Sequence, residues 1–365
     1  MRLGDCGKTN LHTYSDKEKW SMIRYLDTGS ITEGRIDEIQ TLYPGVDKIP
    51  SRARRKASVG DILFSTVRPN QKHYGIIEAG TENLLVSTGF TVVTVDTTIA
   101  DPYFIYYYLT QSSVIESLQA IAEQSTSTYP SIKPSDIEDI ELDLPELETQ
   151  KKIGSTLRML DRKIALNEEI NDNLQQQAFS VFDNLIANAE NNDYTVSAYA
   201  FLNPKRTLAK NQVARSIDMS QLSTSGAFPS GWEMKPFNGG MRFTNGDTLL
   251  ARITPCLENG KTAFIDFLDD GEVAFGSTEY IVLAPKNDTP PEMLYCLARY
   301  PAFVDYAVKN MNGSSGRQRV SAETVGQYRL PLFDKHSLVL FKEVVSPMFL
   351  KMRYNSLENM RLAEL

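Results

Sequence analysis

The feature that most constrains the fold of this chain is an internal repeat that spans most of its 365 residues. Residues 60–69, GDILFSTVRP, recur at 246–255 as GDTLLARITP, and the STGF segment that begins at Ser87 recurs at Ser277 as STEY. The offset between the copies stays between 186 and 190 residues. Chance similarity does not keep one offset in this way, so we expect two units that share a fold.

Each half follows the same order of local patterns. Gly-Asp turns open short alternating runs rich in Val, Ile, Phe and Tyr, which is typical of strands. A polar loop follows at 123–128 and at 312–317, and each half ends in a long helical segment. The pattern predicts an α+β protein with two pseudo-repeated β-rich domains and two long helices. We expect a first domain at 1–145, a central helix at 146–190, a second domain at 191–335 and a distal helix at 336–365.

Both helical segments carry a seam with alternating spacings of three and four residues, which indicates a coiled coil. The first seam consists of Ile153, Leu157, Leu160, Ile164, Asn167, Asn171, Leu174, Ala178, Val181 and Leu185. The second consists of Leu338, Phe341, Val345, Met348, Met352, Asn355, Asn359 and Leu362. Pro347 lies inside the second run and predicts a kink or a late start of that helix.

Two asparagines occupy equivalent seam positions in each helix. A buried asparagine fixes the register of a coiled coil, because a slipped pairing leaves its amide unsatisfied. We expect an antiparallel pair in which Asn167 and Asn171 face Asn359 and Asn355. The alternatives are a parallel pair, or two helices that each pack only on their own domain.

The chain offers little catalytic chemistry. Its three histidines are isolated, no Cys/His cluster has the spacing of metal ligands, and the Gly-rich phosphate loop and the G-x-S-x-G elbow are absent from the sequence. Three distant cysteines give no disulfide framework, and no apolar run resembles a signal peptide or a membrane span. We therefore expect a non-catalytic, cytoplasmic binding protein that binds no metal and has no membrane contact.

The charge is unevenly distributed along the chain. The net charge of −8 argues against nucleic-acid binding, but residues 51–77 carry six basic side chains and one acidic one, and residues 205–261 carry eight and four. Between them, residues 136–172 carry eleven acidic and five basic side chains. Each charge run alone is typical of a solvated face, but two basic regions separated by an acidic one require a structural explanation.

The two copies keep their apolar and turn residues and differ at the polar positions between them. Thr66 stands against Arg252, and Arg68 against Thr254. Drift at exposed positions would give this pattern. Recognition of two different short DNA sequences would also require different polar residues at these positions, since side chains that match base edges recognise the bases.

In their order and duplication these motifs resemble the specificity subunit of Type I restriction-modification systems. The resemblance is carried by residues 60–69, 87–90 and 131–140, by LPELETQKKI at 144–153 and by LDRKI at 160–164, and it covers essentially the whole chain. The distal helix of the family usually continues further than it does here, so we expect a shortened distal helix.

The resemblance implies a function and a set of partners. Each domain would be a target-recognition domain that reads one half of a split, asymmetric site in double-stranded DNA, and the helices would set the unread spacer. The helices would also dock two methyltransferase (modification) subunits, which bring S-adenosylmethionine and methylate adenine, and a translocating nuclease (restriction) subunit can join. The chain itself would bind no cofactor and catalyse no reaction.

Candidate DNA contacts follow from the resemblance and from the basic and polar residues of the repeated segments. In the first domain they are Arg52, Arg54, Arg55, Lys56, Arg68, Asn70, Lys72, Ser87 and Thr88. In the second domain they are Arg252, Thr254, Asn259, Lys261, Ser277, Thr278, Arg317 and Arg319. The alternative functions are a two-domain scaffold that binds protein or glycan without touching DNA, and a homodimeric connector whose helices pair between chains.

Overall fold

The computed structural model describes residues 1–80, 82–125, 129–189, 194–314 and 316–364. Part of the predicted polar loops, at 126–128 and at 315, lies outside the described residues. The chain divides into two compact units, Met1–Asp161 and Arg162–Leu365. Among the helices described, none has the length and apolar character to cross a membrane.

The first unit contains two four-stranded sheets and short helices. Its strands are β1 (Gly7–Thr9), β2 (Ile23–Leu26), β3 (Ile31–Thr32), β4 (Arg35–Ile36), β5 (Gln40–Leu42), β6 (Ala53–Lys56), β7 (Ile62–Ser65), β8 (Tyr74–Ile76), β9 (Leu84–Ser87) and β10 (Phe90–Val95). Its short helices are α1 (Leu3–Cys6), α2 (Pro102–Leu109), α3 (Ser112–Glu123) and α4 (Pro134–Glu138). One sheet has the order β1-β10-β7-β8 and the other β5-β2-β9-β6, and β3 pairs with β4.

The long helix α5 (Leu147–Ala187, 41 residues) begins in the first unit and continues in the second. The second unit adds the strands β11 (Tyr194–Thr195), β12 (Ala200–Leu202), β13 (Val213–Ile217), β14 (Glu233–Pro236), β15 (Met241–Phe243), β16 (Thr248–Ala251), β17 (Thr262–Phe264), β18 (Ala274–Gly276), β19 (Tyr280–Pro285) and β20 (Arg329–Leu330). Its further helices are α6 (Val196–Tyr199), α7 (Pro291–Arg299), α8 (Pro301–Lys309), α9 (Ala322–Gly326) and α10 (Lys335–Ala363).

The second unit repeats the sheet topology of the first. Its sheets have the orders β12-β19-β16-β17 and β14-β13-β18-β15, and β11 pairs with β20. In the described four-stranded sheets, neighbouring strands pair antiparallel except for one parallel pair in each unit. These pairs are β2 with β9 and β13 with β18. The predicted α+β class with two pseudo-repeated β-rich units is confirmed. The domain boundaries derived from the sequence stay a prediction.

The central strands β7 and β16 are buried on both faces, which explains their continuous apolar character. Leu63 packs toward the second sheet, whereas Ile62 and Phe64 pack toward the helices of the first unit. In the second unit, Leu249 and Leu250 divide in the same way. Each unit therefore has three layers, with one sheet between the other sheet and the helices.

The repeated Gly-Asp turn has the same geometry in both units. Gly60 and Gly246 adopt φ values of 88° and 87°, a region that residues with a Cβ rarely adopt. The carboxylate of the aspartate that follows caps the turn. The Asp61 carboxylate accepts from the Ser58 N–H at 2.7 Å, and the Asp247 carboxylate accepts from the Thr244 N–H at 2.8 Å. Both carboxylates are buried.

The second partner of each carboxylate differs between the units. Asp61 accepts a hydrogen bond from the Thr94 hydroxyl at 2.7 Å, whereas Asp247 is bound by the Arg206 guanidinium, with Nη2 2.7 Å from Oδ1. Burial raises the pKa of Asp61, and it raises the pKa of Asp247 to about 6 although Arg206 acts in the opposite direction.

Within the second unit, α5 and α10 lie antiparallel, as expected. Asn167 donates to the side-chain oxygen of Asn359 at 2.7 Å, and Asn355 donates to that of Asn171 at 2.8 Å. Asn167 is fully buried and also accepts a hydrogen bond from Lys163 at 3.0 Å. The amides thus pair with each other and with neighbouring polar groups such as the Glu358 carboxylate, which accepts from Asn167 at 2.8 Å, while the buried side-chain oxygen of Asn355 has no partner.

The expectation of a late start for α10 is wrong. The helix begins at Lys335, where the Asp334 carboxylate caps the Ser337 N–H at 3.0 Å, and it continues through Pro347. A proline removes one helical hydrogen bond, and burial of the apolar face of α10 outweighs that loss.

The seam derived from the sequence also misses two buried aromatic residues. Phe349 packs in the core against Tyr295, Phe264 and Phe228, and Phe182 packs against Phe341. Both helices therefore contribute to the core of the second unit as well as to the helix pair.

Candidate nucleic-acid interface

In each unit, three loop segments come together beside the central strand. In the first unit they are residues 66–68, 87–89 and 129–132, and in the second they are 252–254, 277–279 and 317–320. We call each set of three segments the variable edge of its unit. Nine of the residues proposed from the sequence as DNA contacts fall in these segments: Arg68, Ser87, Thr88, Arg252, Thr254, Ser277, Thr278, Arg317 and Arg319.

Equivalent main-chain hydrogen bonds hold both variable edges. The Thr66 N–H donates to the Gly89 carbonyl at 2.8 Å, and the Thr66 carbonyl accepts from Ile132 at 2.9 Å. In the second unit, the Arg252 N–H donates to the Glu279 carbonyl at 3.0 Å, and the Arg252 carbonyl accepts from Val320 at 3.0 Å. Because main-chain atoms make these bonds, the side chains can differ while the loops keep their shape.

The variable edge of the first unit presents exposed cationic and hydroxyl side chains. Arg68, at φ 48°, places its guanidinium 5.1 Å from the centre of the Tyr129 ring. The carbonyl of the exposed Arg52 accepts from the Thr88 N–H at 2.9 Å, which places this arginine next to the edge. Arg52, Thr88 and Arg68 are therefore exposed side chains within or next to this variable edge.

The variable edge of the second unit combines arginines with one acid. The Glu279 carboxylate binds the Arg319 guanidinium, with Nε 2.9 Å and Nη2 2.7 Å from its oxygens. The hydrogen bond from Arg319, together with the charge of the nearby Arg252, holds the pKa of Glu279 below its usual value. Arg317 and Thr278 are exposed, and Thr254 and Ser277 are half-buried.

The basic residues of β6 lie outside the variable edge, and Lys56 has partners within the unit. The Lys56 ammonium pairs with the Glu18 carboxylate and lies 5.2 Å from the centre of the Trp20 ring. Arg54 and Arg55 are half-buried, and burial lowers the pKa of Arg55. Lys56 can therefore bind phosphate only after giving up some of these contacts.

The remaining candidates lie in turns. Asn70 and Asn259 are exposed. Lys72 pairs with Glu33 at 2.5 Å, and Lys261 donates to the Met219 carbonyl at 2.7 Å. The structure thus leaves the two asparagines at the surface and gives both lysines a local role.

One candidate is removed by its burial. Ser87 is fully buried, and its hydroxyl accepts a hydrogen bond from the Gly89 N–H at 3.3 Å. It terminates β9 and shapes the turn, so it has no surface to offer to DNA. This prediction from the sequence is wrong, because the residue ends a strand that is buried throughout.

Two residues of the variable edges were missed by reasoning from the sequence. Tyr129 lies beneath the Arg68 guanidinium, and Glu279 holds Arg319. The repeat contains a signal for the first of them, since an offset of 188 aligns Tyr129 with Arg317, which was selected. In the second unit an arginine, Arg317, thus occupies the position of Tyr129, and Thr254 occupies the position of Arg68.

Comparisons with known proteins agree with this architecture. Residues 13–176 match the Type I restriction modification DNA specificity domain. The HindI specificity subunit of Haemophilus influenzae is 23% identical over 442 aligned positions, which cover 100% of this chain and 95% of the relative. The EcoAI specificity subunit of Escherichia coli is 33% identical over 133 residues, or 34% of this chain and 22% of the relative.

A solved structure shares the fold. The crystal structure of the Type I restriction-modification S subunit from M. genitalium aligns with a TM-score of 0.58 at 16% identity, covering 100% of this chain and 92% of that one. Residues 13–176 of the chain are thus similar to the Type I restriction modification DNA specificity domain, and over its whole length the chain is similar to a specificity subunit of these systems.

Proposed function

We propose that the two units read the two halves of one split, asymmetric site in double-stranded DNA, each through its variable edge. The observation that carries this proposal is the pair of equivalent main-chain frameworks that hold unlike side chains, such as Thr66 and Arg252. A common framework gives both units one way of approaching DNA. Different polar side chains on that framework give them different base preferences.

The second part of the proposal concerns the helix pair, which sets the length of the unread spacer. The paired amides of Asn167 and Asn359, and of Asn171 and Asn355, support this role. A helix pair that slid by one turn would keep at most one asparagine pair and leave the other two amides without their partners, so the asparagines favour one register and one spacer length.

The third part concerns the assembly. The helices dock two modification subunits, which bring S-adenosylmethionine and methylate adenine, and restriction subunits that translocate DNA can join the complex. The chain contributes recognition and geometry and holds no cofactor of its own. We place this complex in the cytoplasm, where its DNA substrate is found.

The decisive experiment is to co-express the chain with its modification subunit and to map methylated adenines in the host DNA. We expect methylation at one split, non-palindromic sequence. Exchange of residues 51–128 for the segment of another specificity subunit should change one half-site only. If both half-sites changed, the assignment of one half-site to each unit would be wrong.

Binding to duplex DNA as a function of salt separates this function from a protein-binding or glycan-binding scaffold. Neutralisation of phosphates by Arg and Lys predicts an affinity that falls steeply as the salt concentration rises. Absence of binding by the assembled complex at low salt would favour the scaffold.

A further inference from the structure

The backbone of Arg319 is fixed on both sides. Its N–H donates to the Asn312 carbonyl at 2.9 Å and its carbonyl accepts from the Asn312 N–H at 2.9 Å. On the other side it forms a bridge with Ile253, which is flanked by hydrogen bonds from Thr254 to Gln318 and from Val320 to Arg252. The main chain of Arg319 is therefore held in place by hydrogen bonds on both sides, although the residue lies in a loop segment.

The guanidinium of Arg319 is fixed as well. Nε lies 2.9 Å and 3.0 Å from the two oxygens of Glu279, Nη2 lies 2.7 Å from one of them, and Nη1 donates to the Arg317 carbonyl at 3.0 Å. A guanidinium has five N–H groups. Within the described part of the chain, these contacts use three and leave one N–H on each terminal nitrogen, on a side chain that is 38% exposed.

We propose that Arg319, oriented by Glu279, reads a guanine in the half-site bound by the second unit. This inference rests on the function proposed above and specifies one of its contacts. The two remaining N–H groups belong to the two terminal nitrogens, and that fork matches the O6 and N7 acceptors of guanine in the major groove. Glu279 is a positioning residue, because it acts through the arginine.

Two properties of the pair favour a base over a phosphate as its partner. The orientation is set before binding, so little side-chain entropy is lost when the fork meets a base. The carboxylate also neutralises the arginine, which weakens its attraction to a phosphate while leaving its directed donors intact. The first unit has Gly89 and Ser131 at the equivalent positions and cannot form this pair.

The test uses the full chain assembled with its modification subunits, and it measures adenine methylation on a library of DNA duplexes randomised across both half-sites. We expect the wild-type complex to require a G·C pair at one position of one half-site. Arg319→Gln should reduce the preference for that pair by roughly tenfold or more and leave the other half-site unchanged. Glu279→Gln should reduce the same preference by a smaller factor at the same position.

Lys309→Gln is the matched control, because Lys309 is an exposed cation of the second unit whose ion-pair partner is Asp305 on the same helix. It should leave the preferences of both half-sites unchanged. A uniform fall in methylation by Arg319→Gln, with no change in base preference, would make Arg319 a phosphate contact and overturn the proposal. The proposal would also be overturned if Arg319→Gln left the base preferences of both half-sites unchanged. Methylation by the wild-type complex without any split sequence requirement would instead contradict the function proposed above.

Discussion

Asn355 donates a hydrogen bond to the side-chain oxygen of Asn171 at 2.8 Å, and four residues earlier on α5 Asn167 donates to Asn359 at 2.7 Å. The Asn359 amide also donates to the Ile164 carbonyl at 3.2 Å, and that of Asn171 donates to the Ser356 hydroxyl at 3.2 Å. Buried amides stabilise a helix pair only when each has its partner. The pairing therefore makes the stability of the second unit sensitive to single changes at these positions.

The first prediction concerns this pair. Asn359→Ala removes one of the two acceptors of the fully buried Asn167 amide, the other being the Glu358 carboxylate at 2.8 Å, and we expect the free energy of unfolding to fall by roughly 0.5–1.5 kcal/mol. Urea unfolding of the full chain, followed by circular dichroism, measures this loss. Asn173→Ala is the control, because Asn173 is exposed and its side chain donates to the Glu169 carbonyl of its own helix. Equal effects of the two substitutions would contradict a structural role of the pair.

The second prediction concerns the pH dependence of Asp247. Its pKa is raised from 3.8 to about 6 by burial, so between these values the folded chain holds a proton that the unfolded chain has released. Its contribution to stability is fully present below pH 3.8 and is lost as the pH rises through about 6. Asp247→Asn should remove this fall in the free energy of unfolding, measured by urea titrations from pH 4 to 7.

Arg206→Gln tests the same site by keeping the Asp247 carboxyl group and removing its cationic partner. The guanidinium lowers the pKa of Asp247, so its removal should move the carboxyl titration to higher pH. The carbon chemical shift of the Asp247 carboxyl group, followed by NMR, reports the midpoint directly. A midpoint that stays in place would show that Arg206 does not act on this carboxylate.

The third prediction concerns Tyr129. A cation over an exposed aromatic ring contributes about 0.5–1 kcal/mol. Tyr129→Ala removes the ring beneath Arg68 and should weaken binding of the assembled complex to its DNA site by roughly two- to fivefold, whereas Tyr129→Phe should retain most of the affinity. Fluorescence anisotropy with labelled duplexes measures both. Equal losses in the two variants would assign the effect to the hydroxyl group instead.

The fourth prediction concerns the spacer. Seven residues inserted after Asp161 add two turns to α5, or about 10.5 Å at 1.5 Å per residue. This length corresponds to about three base pairs of B-DNA at 3.4 Å each. We expect adenine-methylation mapping to return the same two half-sites with about three more unread base pairs between them. An unchanged spacer would show that the helices do not set it.

Much of this architecture follows from the sequence, because the determining patterns are local or repeated. The alternating seam and its asparagines predicted the antiparallel pairing of Asn167 with Asn359. The seam did not predict Phe349, because a heptad describes one interface and α10 packs against two.

The candidate site was less predictable, because its contacts join residues far apart in the chain. Arg319 meets Glu279 across 40 residues, and no spacing rule brings these two side chains together. Ser87 and Ser277 have the same motif, yet one is fully buried and the other half-buried, since burial depends on the loops that cover each turn. Sequence patterns thus located the segments that matter more reliably than the side chains that act within them.

The main-chain bonds that hold the variable edges have a consequence for how such a protein changes over generations. The bond from residue 66 to residue 89 and its counterpart from 252 to 279 persist although threonine has become arginine and glycine has become glutamate. The main-chain framework is therefore kept, while the side chains add contacts of their own: the Thr66 hydroxyl donates to the Gly89 carbonyl at 2.9 Å, and Glu279 holds Arg319. A lineage can therefore exchange recognition side chains while the loops keep their course, and a contact such as that of Arg319 is gained or lost together with its partner Glu279.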